Sequence, residues 1–113
     1  LEGDPSLAVL ATGNFRALGL SRIEVVQGRF QDTFVNVLKK HAPIEFAFID
    51  GHHDRQATRE YFDQLRTNLA QQSVVVFDDV FWSRGMHSAW KEIRASAPPG
   101  IAVSLGRMGI YLT

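Results

Sequence analysis

Apolar positions along the chain switch repeatedly between helical and strand spacing, and the switches predict helices and strands in turn. Leu7, Leu10, Ala11, Phe15 and Leu18 recur at helical spacing. Asp4-Pro5 ahead of them offers an N-cap carboxylate and a proline at the first helical position, and Gly19 suits the C-terminal end. Ile23 to Gln27 is a short β-branched run closed by Gly28, which predicts a strand. Asp32 is placed to cap a second helix carrying Phe34, Val35, Val37 and Leu38, which Pro43 stops. Glu45 to Asp50 follows, nearly all apolar, as expected of a strand covered on both faces.

The second half continues in the same way. Asp54 to Ala70 predicts an amphipathic helix with Ala57, Tyr61, Leu65 and Leu69 on one face, and Arg55 and Arg59 on another, solvated one. Ser73 to Asp78 is a strand, and Gly85 to Ala97 a helix presenting Met86, Ala89, Trp90 and Ile93. Pro98-Pro99-Gly100 breaks the chain, and Ile101 to Leu105 with Met108 to Leu112 flank a glycine-containing turn, the pattern of a closing antiparallel hairpin. The alternating order implies an α/β fold, with a doubly wound, mostly parallel sheet that ends in the hairpin.

Composition narrows the class. The 113 residues suit one domain, 1–113, without repeats or an interior linker. Twelve basic and twelve acidic side chains leave no net charge, which argues against nucleic acid or a membrane surface as partner. With no cysteine, disulfides and thiolate metal sites are excluded. No apolar run approaches the roughly 18 residues of a membrane span, and no signal peptide is evident, so a soluble, cytoplasmic domain is expected.

The candidate chemistry lies at the strand ends. FAFIDGHH (46–53) and VVVFDDV (74–80) are buried-strand patterns that each end in carboxylates. In an open parallel sheet the C-terminal strand ends line the ligand crevice. The stretch between Asp50 and Asp78 is enough for one helix and two short loops, so Asp50, Asp78 and Asp79 could converge on one spot.

The order of the blocks LEGDP, a helix ending in LGL, IEVVQGRFQD, FAFIDGHH, VVVFDDVFWSRGM and a terminal hairpin resembles the class I S-adenosylmethionine-dependent methyltransferases. The likeness is to the small catechol O-methyltransferase-like kind, over the C-terminal two-thirds of the domain. It implies a Rossmann-like fold, and S-adenosylmethionine as cofactor. Glu2 would accept hydrogen bonds from the ribose hydroxyls, its two oxygens suiting a vicinal diol. Gly28, Phe30 and Gln31 would enclose the adenine, with Gly51 and His52 bordering it, while Asp32 would only cap a helix. Asp50, Asp78 and Asp79 fall on the family's divalent-metal positions, where Mg²⁺ or another divalent cation would be held by oxygen. The third of these positions is often Asn in relatives. His53 stands where the catechol enzymes carry a catalytic lysine. It would take the proton of the substrate hydroxyl, serve as a fourth metal ligand, or be a surface residue without a role. The loop Phe81 to Met86 would wall the acceptor, and His41 and His87 are read as structural or solvated.

The resemblance also sets two expectations about extent. The family's first strand and glycine-rich loop are missing upstream of Leu1, so the domain is expected to be N-terminally incomplete. The partner expected is a small-molecule methyl acceptor, with a homo-oligomer allowed. Two other classes stay open: a non-catalytic methyltransferase-fold module for binding or oligomerisation, and half of a nicotinamide-dinucleotide dehydrogenase. The second lacks any G-x-G-x-x-G before a helix.

Overall fold

The computed structural model describes residues 1–96 and 100–113. These residues form two compact units, Leu1–Lys40 and His41–Thr113, each taken here by itself. Ala97, Pro98 and Pro99 of the expected helix end and chain break lie outside the described residues. No helix among the described residues is long and apolar enough to cross a membrane.

In the first unit, α1 (Pro5–Ala17) starts where its cap requires. The Asp4 side chain accepts from the backbone N–H groups of Ser6 at 2.7 Å and Leu7 at 3.2 Å. At the other end the N–H of Gly19 bonds the Arg16 carbonyl, and that of Leu20 the Phe15 carbonyl. Gly19 itself has φ 68°, so the end is a Schellman motif that needs a left-handed residue. The apolar face expected of this helix is not a core, however. Only Ala8 is buried, and Leu7, Leu10 and Leu18 are exposed, because nothing within the unit forms a sheet to cover them.

Two further expectations change in this unit. Ile23 to Gln27 does not become a strand. A parallel ladder needs a partner segment, and only Glu2 lies opposite, so pairing stops at one bridge, Glu2 with Gln27. α2 (Phe30–His41) begins three residues earlier than a cap at Asp32 would set it. Arg29 supplies the capping carbonyl to Asp32 and Thr33 N–H, and Asp32 sits in the first turn, ion-paired to Arg29 at 2.8 Å. A carboxylate there still favours the helix through its dipole.

The second unit is a four-stranded sheet in the order β1-β2-β4-β3. β1 (Ile44–Ile49) and β2 (Leu69–Phe77) are parallel, joined through α3 (Arg55–Arg66). After α4 (Arg84–Ser96), β3 (Ile101–Leu105) and β4 (Met108–Leu112) form the expected hairpin, and β4 pairs antiparallel with β2. Gly106, at φ 59°, supplies the positive dihedral that a two-residue hairpin turn demands.

α3 ends at Arg66 rather than Ala70, and β2 starts at Leu69, not Ser73. The reason is local. Thr67 Oγ1 and Asn68 Nδ2 both donate to the Gln64 carbonyl, so side chains take the acceptor that a continuing helix would use. The freed Asn68 carbonyl accepts the Ile44 N–H and starts the β1–β2 pairing. β1 is also less covered than expected. Phe46 and Phe48, two residues apart and so on one face of the strand, are exposed. Arg55 and Arg59, expected on a solvated face, instead both reach Glu92 and tie α3 to α4.

The core of this unit follows the helical faces. Ala57, Tyr61 and Leu65 of α3 and Met86, Ala89, Trp90 and Ile93 of α4 are all buried. They meet Val75 and Phe77 at the centre of β2 and Tyr111 of β4. Trp90 lies over Gly109 and donates its indole N–H to Ser104 Oγ at 2.8 Å. A Cβ at Gly109 would come within 2.8 Å of three Trp90 ring atoms. Gly109→Ala is therefore expected to cost about 1–3 kcal/mol, the range for overpacking a filled interior. Urea unfolding would read this as a lowered midpoint with an unchanged m-value; an unshifted midpoint would mean the ring has room to move.

Candidate active site

The C-terminal ends of β1 and β2 are side by side, with Asp78 N–H bonded to the Ile49 carbonyl at 2.9 Å. Asp50, Gly51, His52 and His53 follow β1, while Asp78 and Asp79 follow β2. The positions expected to carry chemistry in this unit thus sit on two adjacent loops. Three of them hold positive φ without being glycine: His52 at 65°, His53 at 26° and Asp79 at 52°. Such conformations cost free energy and persist where the surroundings enforce them.

Each side chain has a definite setting. Asp78 is buried, and Arg107 grips it with two hydrogen bonds, Nε to Oδ1 at 2.9 Å and Nη2 to Oδ2 at 2.6 Å. Oδ1 also accepts the Asp79 N–H at 2.8 Å. Chiefly through the Arg107 hydrogen bonds, the Asp78 carboxyl is held below the usual carboxylate range, and the guanidinium is pushed up in return. Arg107 Nε also lies 3.5 Å from Asp79 Oδ1, and its backbone carbonyl accepts the Val80 N–H at 3.0 Å.

His53 points Nε2 at Asp50 Oδ1, 3.6 Å away, while its Nδ1 is buried with no hydrogen-bond partner among the described residues. At that distance the carboxylate orients the ring electrostatically rather than through a hydrogen bond. His52 turns the other way. Its Nδ1 is 3.0 Å from the Tyr61 hydroxyl, whose pKa is raised by burial. Gly51 is half-buried between the strand end and the two histidines.

The carboxylates do not fit the divalent ion that the resemblance implied. Among the described residues no three His, Asp or Glu side chains are grouped so as to hold a metal ion. The Mg²⁺ expectation for Asp50, Asp78 and Asp79 therefore gains no support from this arrangement. Its physical obstacle is Arg107, whose N–H groups already use both Asp78 oxygens. Arg107 was not a candidate in the sequence. Its signal was the hairpin register, since Phe77 pairs with Gly109 and so brings the turn beside the end of β2.

The loop after Asp79 is shorter than the expected acceptor wall. Ser83 Oγ accepts the Met86 N–H and caps α4, so Met86 is a core residue that also accepts from Thr58. Phe81 and Trp82 remain exposed, with the His87 ring packed against Phe81 at 5.2 Å.

The cofactor candidates of the first unit are arranged as follows. Glu2 is fixed on both sides by backbone bonds, its N–H to the Val26 carbonyl and its carbonyl from the Gly28 N–H. Its Oε1 accepts the Asp4 N–H at 2.8 Å, and Oε2 takes no part in that bond. Gly28, at φ 142°, could not carry a side chain, since a Cβ would lie 2.7 Å from Thr33 Cγ2. Phe30 and Gln31 open α2, the first half-buried and the second exposed. A carboxylate held at a rigid turn suits a vicinal diol.

The strand-end carboxylates thus sit on a mixed, Rossmann-like α/β sheet. The methyltransferase-domain family matches residues 4–80, and the chain belongs to that family. No curated protein matches the chain in sequence. Its fold is similar to that of an O-methyltransferase from Bacillus cereus in complex with SAH, at 20% identity and TM-score 0.77. It is also similar to the O-methyltransferase TomG from Streptomyces achromogenes in complex with SAM, at 21% identity and TM-score 0.79. A third likeness is to cofactor-bound Rv0187 from MTB, at 23% identity and TM-score 0.75. These alignments cover 98%, 99% and 98% of this chain, and 60%, 59% and 58% of the other chains, respectively. The chain thus spans about 60% of the length of these structures. At such identities the likeness speaks to the fold, a Rossmann-like α/β sheet with a closing hairpin.

Proposed function

We propose that the protein transfers the methyl group of S-adenosylmethionine to a hydroxyl oxygen of a small molecule, with His53 as the base. The observation that carries the reading is the family match itself, which ends on the two loops that gather Asp50, His53, Asp78 and Asp79. When bound, S-adenosylmethionine supplies an activated methyl on a sulfonium. The chain's own tasks are to hold the cofactor, orient the acceptor and remove one proton. Glu2 is the proposed ribose partner, with Gly28, Phe30 and Gln31 of the same unit as the proposed adenine surroundings. His53 would receive the acceptor proton on Nε2, the ring nitrogen 3.6 Å from Asp50, since Nδ1 is buried. Phe81 and Trp82 offer exposed aromatic surface to the acceptor. The metal-assisted version of this chemistry is not carried into the proposal, because Arg107 engages Asp78 where an ion would need it.

Calorimetric titration of the full-length protein with S-adenosylhomocysteine tests the reading. Micromolar binding is expected. Glu2→Gln keeps an oxygen for the Asp4 N–H but loses the charge, and is expected to weaken binding roughly 10–100-fold, as loss of a charged hydrogen bond does. Absence of binding by the full-length protein would sink the methyltransferase reading and leave a non-catalytic module of the same fold.

A further inference from the structure

We propose that Arg107 is the resident cation of the strand-end carboxylates, taking the place of a divalent ion and making the site independent of metal. The geometry is that of a built site. A guanidinium presents planar, paired N–H donors that match the two oxygens of a carboxylate, and Arg107 uses Nε and Nη2 in that way on Asp78. With the Asp79 N–H also on Oδ1, the buried carboxylate receives three donors. Little of its lone-pair capacity remains for a metal, which would demand those oxygens at about 2.0–2.6 Å.

The arginine is also held at its backbone. Its carbonyl accepts the Val80 N–H, and Gly106 beside it sets the hairpin turn from which the side chain reaches. β4 pairs with β2 up to Phe77, so the tip is registered on the residue before Asp78. The sheet therefore fixes the backbone from which the exposed side chain reaches, and two hydrogen bonds hold its fork on Asp78. Its second contact, 3.5 Å to Asp79 Oδ1, offsets the repulsion that two adjacent carboxylates would otherwise feel. Arg107 is in this sense a positioning residue: it fixes Asp78 through paired hydrogen bonds and lies beside Asp79 without a metal. The inference concerns the same loops as the proposed methyl transfer. Cation occupancy is measured without cofactor or acceptor, however, so the two ideas fail separately.

The probe is Mn²⁺, followed by the loss of its free-ion paramagnetic resonance signal on adding the full-length protein. The wild-type protein is expected to leave millimolar Mn²⁺ free. Arg107→Met, which keeps the stem and removes the donors, is expected to bind Mn²⁺ at least tenfold more tightly. Adding Asp78→Asn to that variant should abolish the gain. Arg107→Lys, a cation without the fork, should stay closer to the wild type. Tight Mn²⁺ binding by the wild-type protein that Asp78→Asn removes would overturn the proposal. So would a folded Arg107→Met variant with no gain. Should Arg107→Met fail to fold, the wild-type and Arg107→Lys titrations decide, since Mn²⁺ uptake in either at the Asp78 site counts against the idea.

Discussion

Replacing His53 with alanine is expected to lower turnover of the full-length enzyme by ~10²–10⁴-fold, the usual contribution of a positioned general base. The same change should leave the affinity for S-adenosylhomocysteine within a few-fold, because the acceptor proton and not the cofactor is what the imidazole meets. Stability should hardly fall either. The buried Nδ1 has no partner among the described residues, so its removal relieves a polar group whose unsatisfied burial costs on the order of 1–3 kcal/mol. A residue that is poorly satisfied in the folded state yet needed for turnover is how a functional position differs from a structural one. The measurement is kcat at saturating cofactor, alongside the denaturant midpoint of the same variant. Unchanged kcat would remove His53 from the mechanism. Equal losses in kcat and in stability would assign the ring a packing role instead.

What could be read from the sequence was local or periodic. The Asp4 cap acts within three residues of itself, and its helix starts where that residue requires. The hairpin bounds were also legible, since a two-residue turn with Gly106 leaves one register for the flanking strands. Periodicity then misled at Leu69. That residue fits the spacing of the preceding helix, but Thr67 and Asn68 divert the Gln64 carbonyl to their own side chains, an interaction that hydrophobic spacing does not contain. Ile23 to Gln27 failed for the opposite reason: β-propensity is a property of a strand with a partner, and only Glu2 is opposite.

The candidate site divides along the same line. Asp50, Asp78 and Asp79 were legible as candidates because strand ends are visible in one dimension. Arg107 was missed because its approach depends on the pairing of β4 with β2, a contact between distant parts of the chain. The missed residue changes the chemistry more than any of those found. Three carboxylates alone ask for a metal; the same carboxylates with a guanidinium between two of them do not.

The largest effect on stability is expected at Phe62, and it bears on the site through β2. Phe62 is inaccessible to solvent and meets Tyr111 edge-on at 5.2 Å and Phe77 at 6.0 Å. Phe77 in turn contacts Trp90 and is followed at once by Asp78. Phe62→Ala removes a ring from the middle of this stack and should cost about 3–5 kcal/mol, lost transfer energy plus the cavity left behind. Against a typical total of roughly 5–15 kcal/mol, that is enough to populate the unfolded state under mild conditions. Phe62→Leu, which refills part of the volume, should cost clearly less. Because edge-on aromatic contacts couple, Phe62→Leu and Tyr111→Leu together should cost a different amount from the sum of the two single changes. Urea unfolding of the wild type and these four variants reads all of this. A Phe62→Ala loss below about 1 kcal/mol would mean that the space collapses around the missing ring. The end of β2 would then owe its position to the hairpin and Arg107 rather than to the aromatic stack beneath it.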